Sequence, residues 1–291
     1  MARAFCLEHL IESVHYLLAF LFTFFLIVES GSTVSADPIA DQQNLISSYR
    51  ERFPNVPADE YVHGVYAIDV RLSKQYDAIN EFPPYSFDLD DGEDIAMRRN
   101  AAGRNIANCI GRVEPAGAGH FPFYDNNAHE IVTLALAAQR CLERVEDSKT
   151  ALADQRLIKL LAFLNYAARD TVRSVSLPET PPALEAYEAG KNFFMTKRGQ
   201  LDLSCADCHV RAAGKRLRDQ VLPPLLGAVN HFPVYGLRWG ALGSLHQRFN
   251  GCLEQVRARP LQLGSRQFRE LEYFLALMAN GLPLIGPGIN R

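Results

Sequence analysis

Several kinds of pattern are missing from this 291-residue sequence. It has no basic run interleaved with aromatic residues, so it predicts no nucleic-acid-binding surface. It contains a C-x-x-C pair but neither a second such pair nor an H-x-x-x-H, which a structural zinc site would need. Its N-terminal apolar stretch, residues 17–28, is too short to span a membrane comfortably. We therefore expect neither a nucleic-acid-binding protein nor a zinc-knuckle protein.

The N-terminus instead predicts export. The apolar stretch 17–28 is followed by Val34-Ser35-Ala36, small residues that are typical of a signal-peptide cleavage site. We therefore expect residues 1–36 to be a cleaved signal peptide and the mature protein to lie in the periplasm. The segment before the apolar stretch has one strong base, Arg3, opposed by two glutamates, so an uncleaved anchor is the alternative.

Charge is distributed unevenly along the chain, although the total is only −3. Residues 37–180 contain 15 Lys and Arg against 22 Asp and Glu, a net −7, whereas residues 181–291 contain 14 against 8, a net +6. A basic C-terminal half favours a pocket for a small anion or a docking face for an acidic partner. Uneven solvation of two surfaces would give the same charge distribution.

The strongest chemical signal is the segment 205–209 (CADCH), which has the pattern C-x-x-C-H. This spacing lets two thiols form thioethers with the vinyl groups of a haem while the adjacent imidazole binds the iron. A thioredoxin-type redox pair would follow a β-strand, whereas residues 187–195 have a helical pattern. We therefore predict one covalently bound haem c, attached through Cys205 and Cys208, with His209 as an axial ligand.

Hydrophobic periodicity predicts an all-α chain with two similar halves. We expect helices over 90–108, 129–146, 154–169, 183–197, 243–256 and 266–279, an extended segment over 37–60, no regular element over 61–85 and a linker over 172–182. In each half a helix leads to a cysteine segment, and Ala102-Gly103-Arg104 matches Ala189-Gly190-Lys191. We therefore predict two tandem cytochrome c-like domains, a degenerate haem-free domain over 37–180 and a haem-binding domain over 181–291.

Three cysteines remain once the haem thiols and Cys6, which would leave with the signal peptide, are set aside. In an oxidising compartment, three such cysteines predict one disulfide and one thiol with a task. The first half cannot attach a haem, because Cys109 stands where a complete motif would be needed. Our hypothesis is that a disulfide between Cys109 and Cys141 replaces the missing cofactor and stabilises that half by roughly 3 kcal/mol.

An iron bound by one histidine needs a second ligand or an open site, and four side chains after His209 are candidates. They are His231, His246, Cys252 and Met278. Met278 falls on an apolar helical stripe, where core packing explains it. His246 lies near a helix start, where it would cap the helix or face solvent. His231 lies in a proline-rich loop and stays a candidate.

Cys252 differs from these candidates, because an unpaired thiol in an exported protein calls for a use. Arg248 lies four residues earlier on the same helical face, and Arg257 and Arg259 follow closely. Cations beside a thiol favour the thiolate, which binds metals and attacks sulfur. A thiolate ligand also lowers the potential of haem iron, which favours a reaction site over an electron relay. The alternative for Cys252 is a small buried hydrophobe.

Several longer stretches carry a resemblance to a known family. They are 123–125 (FYD), 131–134 (IVTL), 140–141 (RC), 233–239 (PVYGLRW), 245–252 (LHQRFNGC), 256–260 (VRARP) and 280–288 (NGLPLIGPG). Through these stretches the mature chain resembles SoxA, the haem-bearing subunit of the SoxAX cytochromes of bacterial thiosulfate oxidation. The resemblance covers essentially the whole mature chain.

The resemblance implies roles for individual residues of the second half. Cys205 and Cys208 would attach the haem, and His209 would be its axial ligand. Cys252 would be the distal ligand, which in the family is a cysteine persulfide. Arg248 would help to bind the substrate.

The resemblance also bears on the number of haems. Some family members carry a second C-x-x-C-H motif in the first domain, whereas this sequence has only Cys109 there and resembles the single-haem branch. Cys141 would occupy the place of the lost haem's ligand.

The family's reaction is that of an L-cysteine S-thiosulfotransferase. Thiosulfate is joined oxidatively to a cysteine of a sulfur-carrier protein of the SoxY type, and electrons leave through haem to a cytochrome acceptor. A small haem c subunit of the SoxX type is the expected heterodimer partner. An electron-transfer cytochrome without sulfur chemistry and a haem-based sensor are the alternatives, but an electron carrier does not need Cys252 and Arg248 on one helical face.

Overall fold

The computed structural model describes residues 37–111, 117–169 and 171–290. The chain from Asp37 onward forms one compact unit, and the expected boundary between 180 and 181 stays a prediction. The expected signal peptide, residues 1–36, lies outside the described residues. No helix in the described part of the chain is long and apolar enough to cross a membrane.

The described residues are mostly helical, with short strands between the helices. The α-helices are α1 Pro38–Arg52, α2 Val70–Asn80, α3 Ser86–Met97, α4 Ile106–Ile110, α5 Leu134–Glu146, α6 Gln155–Ala167, α7 Pro181–Met195, α8 Leu245–Gln255 and α9 Arg266–Met278. A 3₁₀ segment covers Asp59–Ala67, and a π-helical turn covers Asp207–Arg211. The strands are β1 Phe123–Asp125, β2 Glu130–Val132, β3 Arg216–Leu217, β4 Gln220–Val221, β5 Val234–Gly236, β6 Ala241–Gly243 and β7 Gly288–Asn290.

The strands correct the expectation of an all-α chain. Strands β1 and β2 form an antiparallel hairpin, and β3 and β4 form another. Strand β5 pairs with β6 antiparallel and with β7 parallel, which gives a three-stranded sheet. None of these strands exceeds three residues, so no period-two pattern is long enough to reveal them in the sequence.

The N-terminal segment was expected to be extended over 37–60, and this expectation is wrong. Helix α1 begins there because the Asp37 carboxylate accepts hydrogen bonds from the backbone N–H groups of Ile39 and Ala40, and Pro38 occupies the first turn. A proline that would break the interior of a helix is therefore compatible with its first turn, and the Asp37-Pro38 pair marks a helix start. The 3₁₀ segment and α2 likewise fill a region where no element was expected.

Two expected helices have different bounds in the structure. The helix expected over 90–108 is interrupted after α3, because the Asn100 side chain accepts hydrogen bonds from the N–H groups of Ala102 and Arg104 and forms a turn. The helix expected over 129–146 begins only after Thr133, whose hydroxyl caps α5. The residues before it belong to β2. Each of the four remaining helices begins and ends within two residues of its expected bounds.

The two halves share a helix-packing arrangement that a glycine makes possible. Helix α3 packs on α6, and α7 packs on α9. A Cβ added to Gly92 would lie 2.3 Å from the carbonyl oxygen of Lys159, and one added to Gly190 would lie 2.0 Å from that of Glu270. Both helix pairs therefore touch backbone to backbone. This corrects the expected match of Gly190 with Gly103, which lies in a turn with open space around it.

The first half is closed by a disulfide between Cys109 of α4 and Cys141 of α5. Cys141 is 2% exposed and belongs to a core shared by α3, α4, α5 and α6. The bridge spans 32 residues, and the predicted pairing is confirmed. Buried apolar residues of this core are Ile95, Ile106, Ile110, Phe121, Val132, Leu134, Leu142, Val145, Leu157, Leu160 and Leu161.

Candidate haem and substrate site

The C-x-x-C-H segment is held in a rigid turn by its own polar side chains. The Asp207 carboxylate accepts hydrogen bonds from the backbone N–H and the hydroxyl of Ser204, both at 2.8 Å. Arg211 donates from Nε to the other Asp207 oxygen at 2.7 Å. The Ser204 hydrogen bonds, followed by the Arg211 charge, lower the pKa of Asp207 to about 2. The carboxylate is therefore ionised, and the turn is intact, at neutral pH.

The imidazole of His209 is prepared for metal binding. Its Nδ1 lies 3.1 Å from the carbonyl oxygen of Pro223. Because a carbonyl only accepts, Nδ1 carries the hydrogen and Nε2 keeps a free lone pair. Burial, with a smaller contribution from the Arg248 charge, lowers the pKa of His209 to about 4, although the Pro223 contact opposes the shift. The ring is therefore neutral, as a ligand must be.

Helix α1 fixes this segment from the N-terminal end of the described chain. The Tyr49 hydroxyl donates to the carbonyl oxygen of His209 and accepts from the backbone N–H of Leu225 at 2.8 Å. Tyr49 is fully buried, and burial raises its pKa, so it stays a donor. Sequence reasoning missed this residue. The spacing of Leu45 and Tyr49, four residues apart after a helix start, was the available signal.

Three thiols in the described part of the chain lie within electrostatic reach of one another. Cys205, Cys208 and Cys252 are all free and partly exposed. Burial, with a smaller contribution from the charge of Cys252, raises the pKa of Cys205 to about 11. Burial and the same neighbour also raise the pKa of Cys208. The structure therefore brings Cys252 to the motif thiols from a distant part of the sequence.

Helix α8 carries both Cys252 and Arg248. The helix starts with a reciprocal capping box, in which Gln247 N–H donates to Ser244 Oγ at 3.3 Å and Ser244 N–H donates to Gln247 Oε1 at 2.8 Å. At the middle of the helix, the Asn250 side chain makes two backbone hydrogen bonds with Leu261, each at 2.9 Å. Arg248 and Cys252 lie one turn apart on this fixed helix, so guanidinium and thiol face the same region.

The other candidate axial ligands lie in different environments in the structure. Met278 is 2% exposed in the core of α9, which agrees with a packing role. His246 is buried, accepts a hydrogen bond from the Gly264 N–H at 3.0 Å, and has Nε2 at 3.0 Å from a Glu272 oxygen without hydrogen-bond geometry. The expectation that His246 caps a helix or faces solvent is therefore wrong. The sequence did not show that α9 packs over it.

His231 lies within electrostatic reach of Arg248, which its position in a loop did not indicate. Its Nδ1 is 3.1 Å from the carbonyl oxygen of Val62, so Nε2 is again the free nitrogen. Burial lowers the pKa of His231 to about 4, the Val62 contact opposes the shift, and the charge of Arg248 adds to it. Two neutral imidazoles, His209 and His231, therefore lie within the electrostatic reach of one guanidinium.

A cavity of about 390 Å³ opens beside Arg248. At ~30 Å³ per water, it has room for about a dozen waters, more than a small dianion would fill. Arg238 adds a second cation to its wall and is paired with Asp219 at 2.7 Å. Arg257 and Arg259, which were expected to favour the thiolate form of Cys252, are exposed beyond the end of α8. The cavity is lined by Gln220, Gly236, Arg238, Trp239, Arg248, Gly251, Glu254, Gln255 and Asn290.

The residues at the motif fit a covalently attached haem. They supply two free thiols three residues apart and an imidazole with a free Nε2. Arg198 adds a further observation: its guanidinium lies 3.7 Å above the Phe193 ring, close to Cys205, and its Nη1 is buried without a partner among the described residues. A buried donor of this kind fits a bound group with acceptor atoms. The fold and this site define a c-type cytochrome.

Comparisons with known proteins agree with this class and narrow it. Residues 189–284 match the SoxA/TsdA cytochrome c domain family. The chain is 39% identical over 264 residues to the L-cysteine S-thiosulfotransferase subunit SoxA of Allochromatium vinosum, covering 90% of this chain and 93% of that protein. It is 35% identical over 257 residues to the SoxA subunit of Chlorobaculum tepidum, with 87% of each chain covered. The chain therefore belongs to the SoxA family.

A solved structure supports the same assignment. The crystal structure of SoxXA from P. pantotrophus superimposes with a TM-score of 0.64 at 26% sequence identity. The match covers 72% of this chain and 79% of that chain.

Proposed function

We propose that this chain binds one haem c through Cys205, Cys208 and His209 and uses Cys252 and Arg248 to handle thiosulfate. As a SoxA-family chain, it is a subunit of an L-cysteine S-thiosulfotransferase of the thiosulfate-oxidising Sox system. The observation that supports the proposal is the electrostatic proximity of Cys252 to the motif thiols, on a helix that carries Arg248 one turn away. One C-x-x-C-H segment and a disulfide-bonded Cys109 support a single haem.

The net reaction defines what the site must do. A sulfur–sulfur bond forms between the outer sulfur of thiosulfate and a cysteine thiol of the carrier, and two electrons and one proton leave. A bound haem c supplies a one-electron acceptor, so the second electron needs another acceptor, such as the haem of a partner subunit. The protein residues must hold a dianion and bring two nucleophilic sulfurs together.

Arg248 would hold thiosulfate in the cavity that it lines together with Gly251, the residue before Cys252, by pairing with the sulfonate oxygens. Removal of two electrons would join the Cys252 sulfur to the outer thiosulfate sulfur. The carrier thiolate would then attack that outer sulfur, forming the product and releasing Cys252 as a thiolate. A persulfide on Cys252 would place one more sulfur between the protein and the substrate and leave this balance unchanged.

The expected partners follow from the family. One relative of known structure is a SoxXA complex, which supports a small SoxX-type haem c subunit as the heterodimer partner of this chain. A SoxY-type carrier would supply the acceptor cysteine, and a cytochrome would take the electrons. The proposed compartment is the periplasm, reached through a cleaved signal peptide.

Thiosulfate-dependent cytochrome reduction, measured with carrier and small subunit present, tests the proposal. Replacing Arg248 with Ala should lower kcat/KM roughly 100-fold, because the cation that holds the dianion is lost. The haem absorption spectrum should change little. Arg259→Ala is the matched control, because Arg259 is exposed and lies beyond the helix end. An Arg248→Ala protein as active as the wild type would remove Arg248 from the reaction.

A further inference from the structure

Two turns at the mouth of the cavity form a surface that the reaction described above does not use. We call it the basic rim and define it as Arg216, Leu217, Arg218, Leu237 and Trp239. Each of these residues is exposed, with Leu217 at 51% and Trp239 at 55% of full exposure. The first three lie on the β3–β4 hairpin, and the last two lie on the turn between β5 and β6.

The rim is held in a defined shape although it is exposed. Arg238 donates from Nη2 to Asp219 at 2.7 Å and so ties the two turns together. The Trp239 ring lies over two glycines: a Cβ on Gly236 would come within 2.3 Å of it, and one on Gly243 within 3.0 Å. An exposed indole fixed over glycine backbone is ready to make contacts without a large loss of side-chain freedom.

The rim also carries uncompensated positive charge. Among the described residues, neither Arg216 nor Arg218 forms an ion pair. Asp219 of the same hairpin is already paired with Arg238, and Glu254 lies in the wall of the cavity, off the rim. Aromatic and arginine side chains are enriched at protein interfaces, whereas unpaired arginines in a fixed row favour a partner with acidic residues.

The rim is continuous with the candidate site. Trp239 of the rim lines the cavity beside Arg248. Gln220, which lies on the same hairpin as Arg216, also lines it. A protein seated on the rim would therefore lie across the opening of the cavity. Of the expected macromolecular partners, the one that must reach this cavity is the carrier of the acceptor cysteine.

We propose that the basic rim is the docking surface for the body of the sulfur-carrier protein, through an acidic patch with exposed apolar side chains. This inference rests on the proposed function and adds to it the residues that select the second substrate. Long-range attraction by Arg216 and Arg218 speeds the encounter, and Trp239 with Leu217 supplies apolar contact. The rim acts chiefly on the carrier, because only a protein can use the apolar contact with Trp239 and Leu217, whereas thiosulfate would be held by Arg248 inside the cavity.

The test is a charge reversal of the rim in the assembled complex. Arg216→Glu with Arg218→Glu should raise the KM for the carrier roughly tenfold at about 10 mM ionic strength, and by much less at about 300 mM, because salt screens the attraction. At the same ionic strength the KM for thiosulfate should change much less than the KM for the carrier, and the haem spectrum should not change. Arg98→Glu with Arg99→Glu is the matched control: it makes the same charge change on an exposed pair in the first half.

A binding measurement separates this inference from the proposed function. A carrier whose acceptor cysteine is replaced by serine should bind the rim variant about tenfold more weakly than the wild type at low salt. Equal binding, or equal weakening by the Arg98/Arg99 control, would overturn the inference while leaving the proposed function intact. A wild-type complex that binds the carrier at the rim but gives no thiosulfate-dependent turnover would contradict the proposed function alone.

Discussion

The two halves of this molecule contain the same succession of hairpin and capped helix, but the cysteine on that helix has a different partner in each half. In each half a hairpin is followed by a capped helix, and a cysteine lies eight residues after the cap: Thr133 precedes Cys141, and Ser244 precedes Cys252. In the first half that cysteine is bonded to Cys109, whereas in the second half it is free and within electrostatic reach of the C-x-x-C-H thiols. One helix position therefore serves as a covalent staple in one half and as the proposed reactive thiol in the other.

The comparison teaches that the position of a cysteine on the fold does not determine its chemistry. Cys141 is enclosed by apolar side chains, with only Arg144 near its bonded partner at 3.9 Å. Cys252 is partly exposed, on the same helical face as Arg248 and near a cavity with a second guanidinium. Charge and access distinguish the two thiols, as expected for a structural and a reactive cysteine.

The largest expected stability effect concerns the staple. Replacing Cys109 and Cys141 together with Ser should lower the free energy of unfolding by about 3–4 kcal/mol, because the 32-residue link no longer restricts the unfolded chain. Denaturant titration measures this loss, and the haem spectrum should be unchanged. A changed spectrum would show that the two halves do not divide their roles as described.

The shared helix contact gives the next effect. Gly92→Ala and Gly190→Ala should each cost about 2–3 kcal/mol, because the new methyl group would overlap a carbonyl oxygen of the facing helix. Thermal unfolding of the two variants tests whether the contacts are equivalent. Gly103→Ala is the control for added volume alone, since nothing lies within 4 Å of that position, although its φ of 70° adds some strain. A large difference between the first two variants would break the structural correspondence of the halves.

The smallest effect concerns an ion pair that links the halves. Glu130 of β2 binds Arg140 of α5 and Arg269 of α9. Burial opposes ionisation, but these hydrogen bonds and charges outweigh it and lower the pKa of Glu130. A lowered folded-state pKa stabilises the fold above the unfolded value near ~4.3, and this contribution is lost as the pH falls through the folded-state pKa.

Glu130→Gln should therefore cost about 1 kcal/mol at pH 7, and the difference from the wild type should shrink as the pH falls below ~4. Chemical denaturation across this pH range measures it. Glu146→Gln is the matched control, because Glu146 pairs with Arg156 within the first half. A Glu130 effect that grows toward acid pH would contradict the assigned direction of the pKa.

Sequence reasoning predicted the disulfide and several helices better than the path of the chain between them. The haem segment, the Cys109–Cys141 pair and the amphipathic helices α6 and α9 were predicted because each depends on local spacing or on cysteine counting. Helix α1 was missed because the segment 37–60 was expected to be extended, although Asp37-Pro38 can start a helix. The contact of Tyr49 with the motif was missed for the same reason. That contact joins residues 160 positions apart, which no local pattern contains.

The burial of individual residues was the other property that the sequence did not reveal. His246 was placed at the surface because its helix position was known but the element packed over it was not. The repeat was recognised through Gly103, whereas the structure matches Gly190 with Gly92, since only a helix–helix contact shows which glycine is needed. The roles of Arg248 and Cys252 came from the family resemblance and from their spacing, and they stay predictions.

The most direct measurement of the central claim is the electron paramagnetic resonance spectrum of the oxidised protein, compared with Cys252→Met. The wild type should give a low-spin signal typical of a sulfur-anion ligand opposite histidine, and the variant should lose that signal together with thiosulfate-dependent turnover, since a thioether donates less electron density. Identical spectra for the two proteins would show that Cys252 does not face the iron.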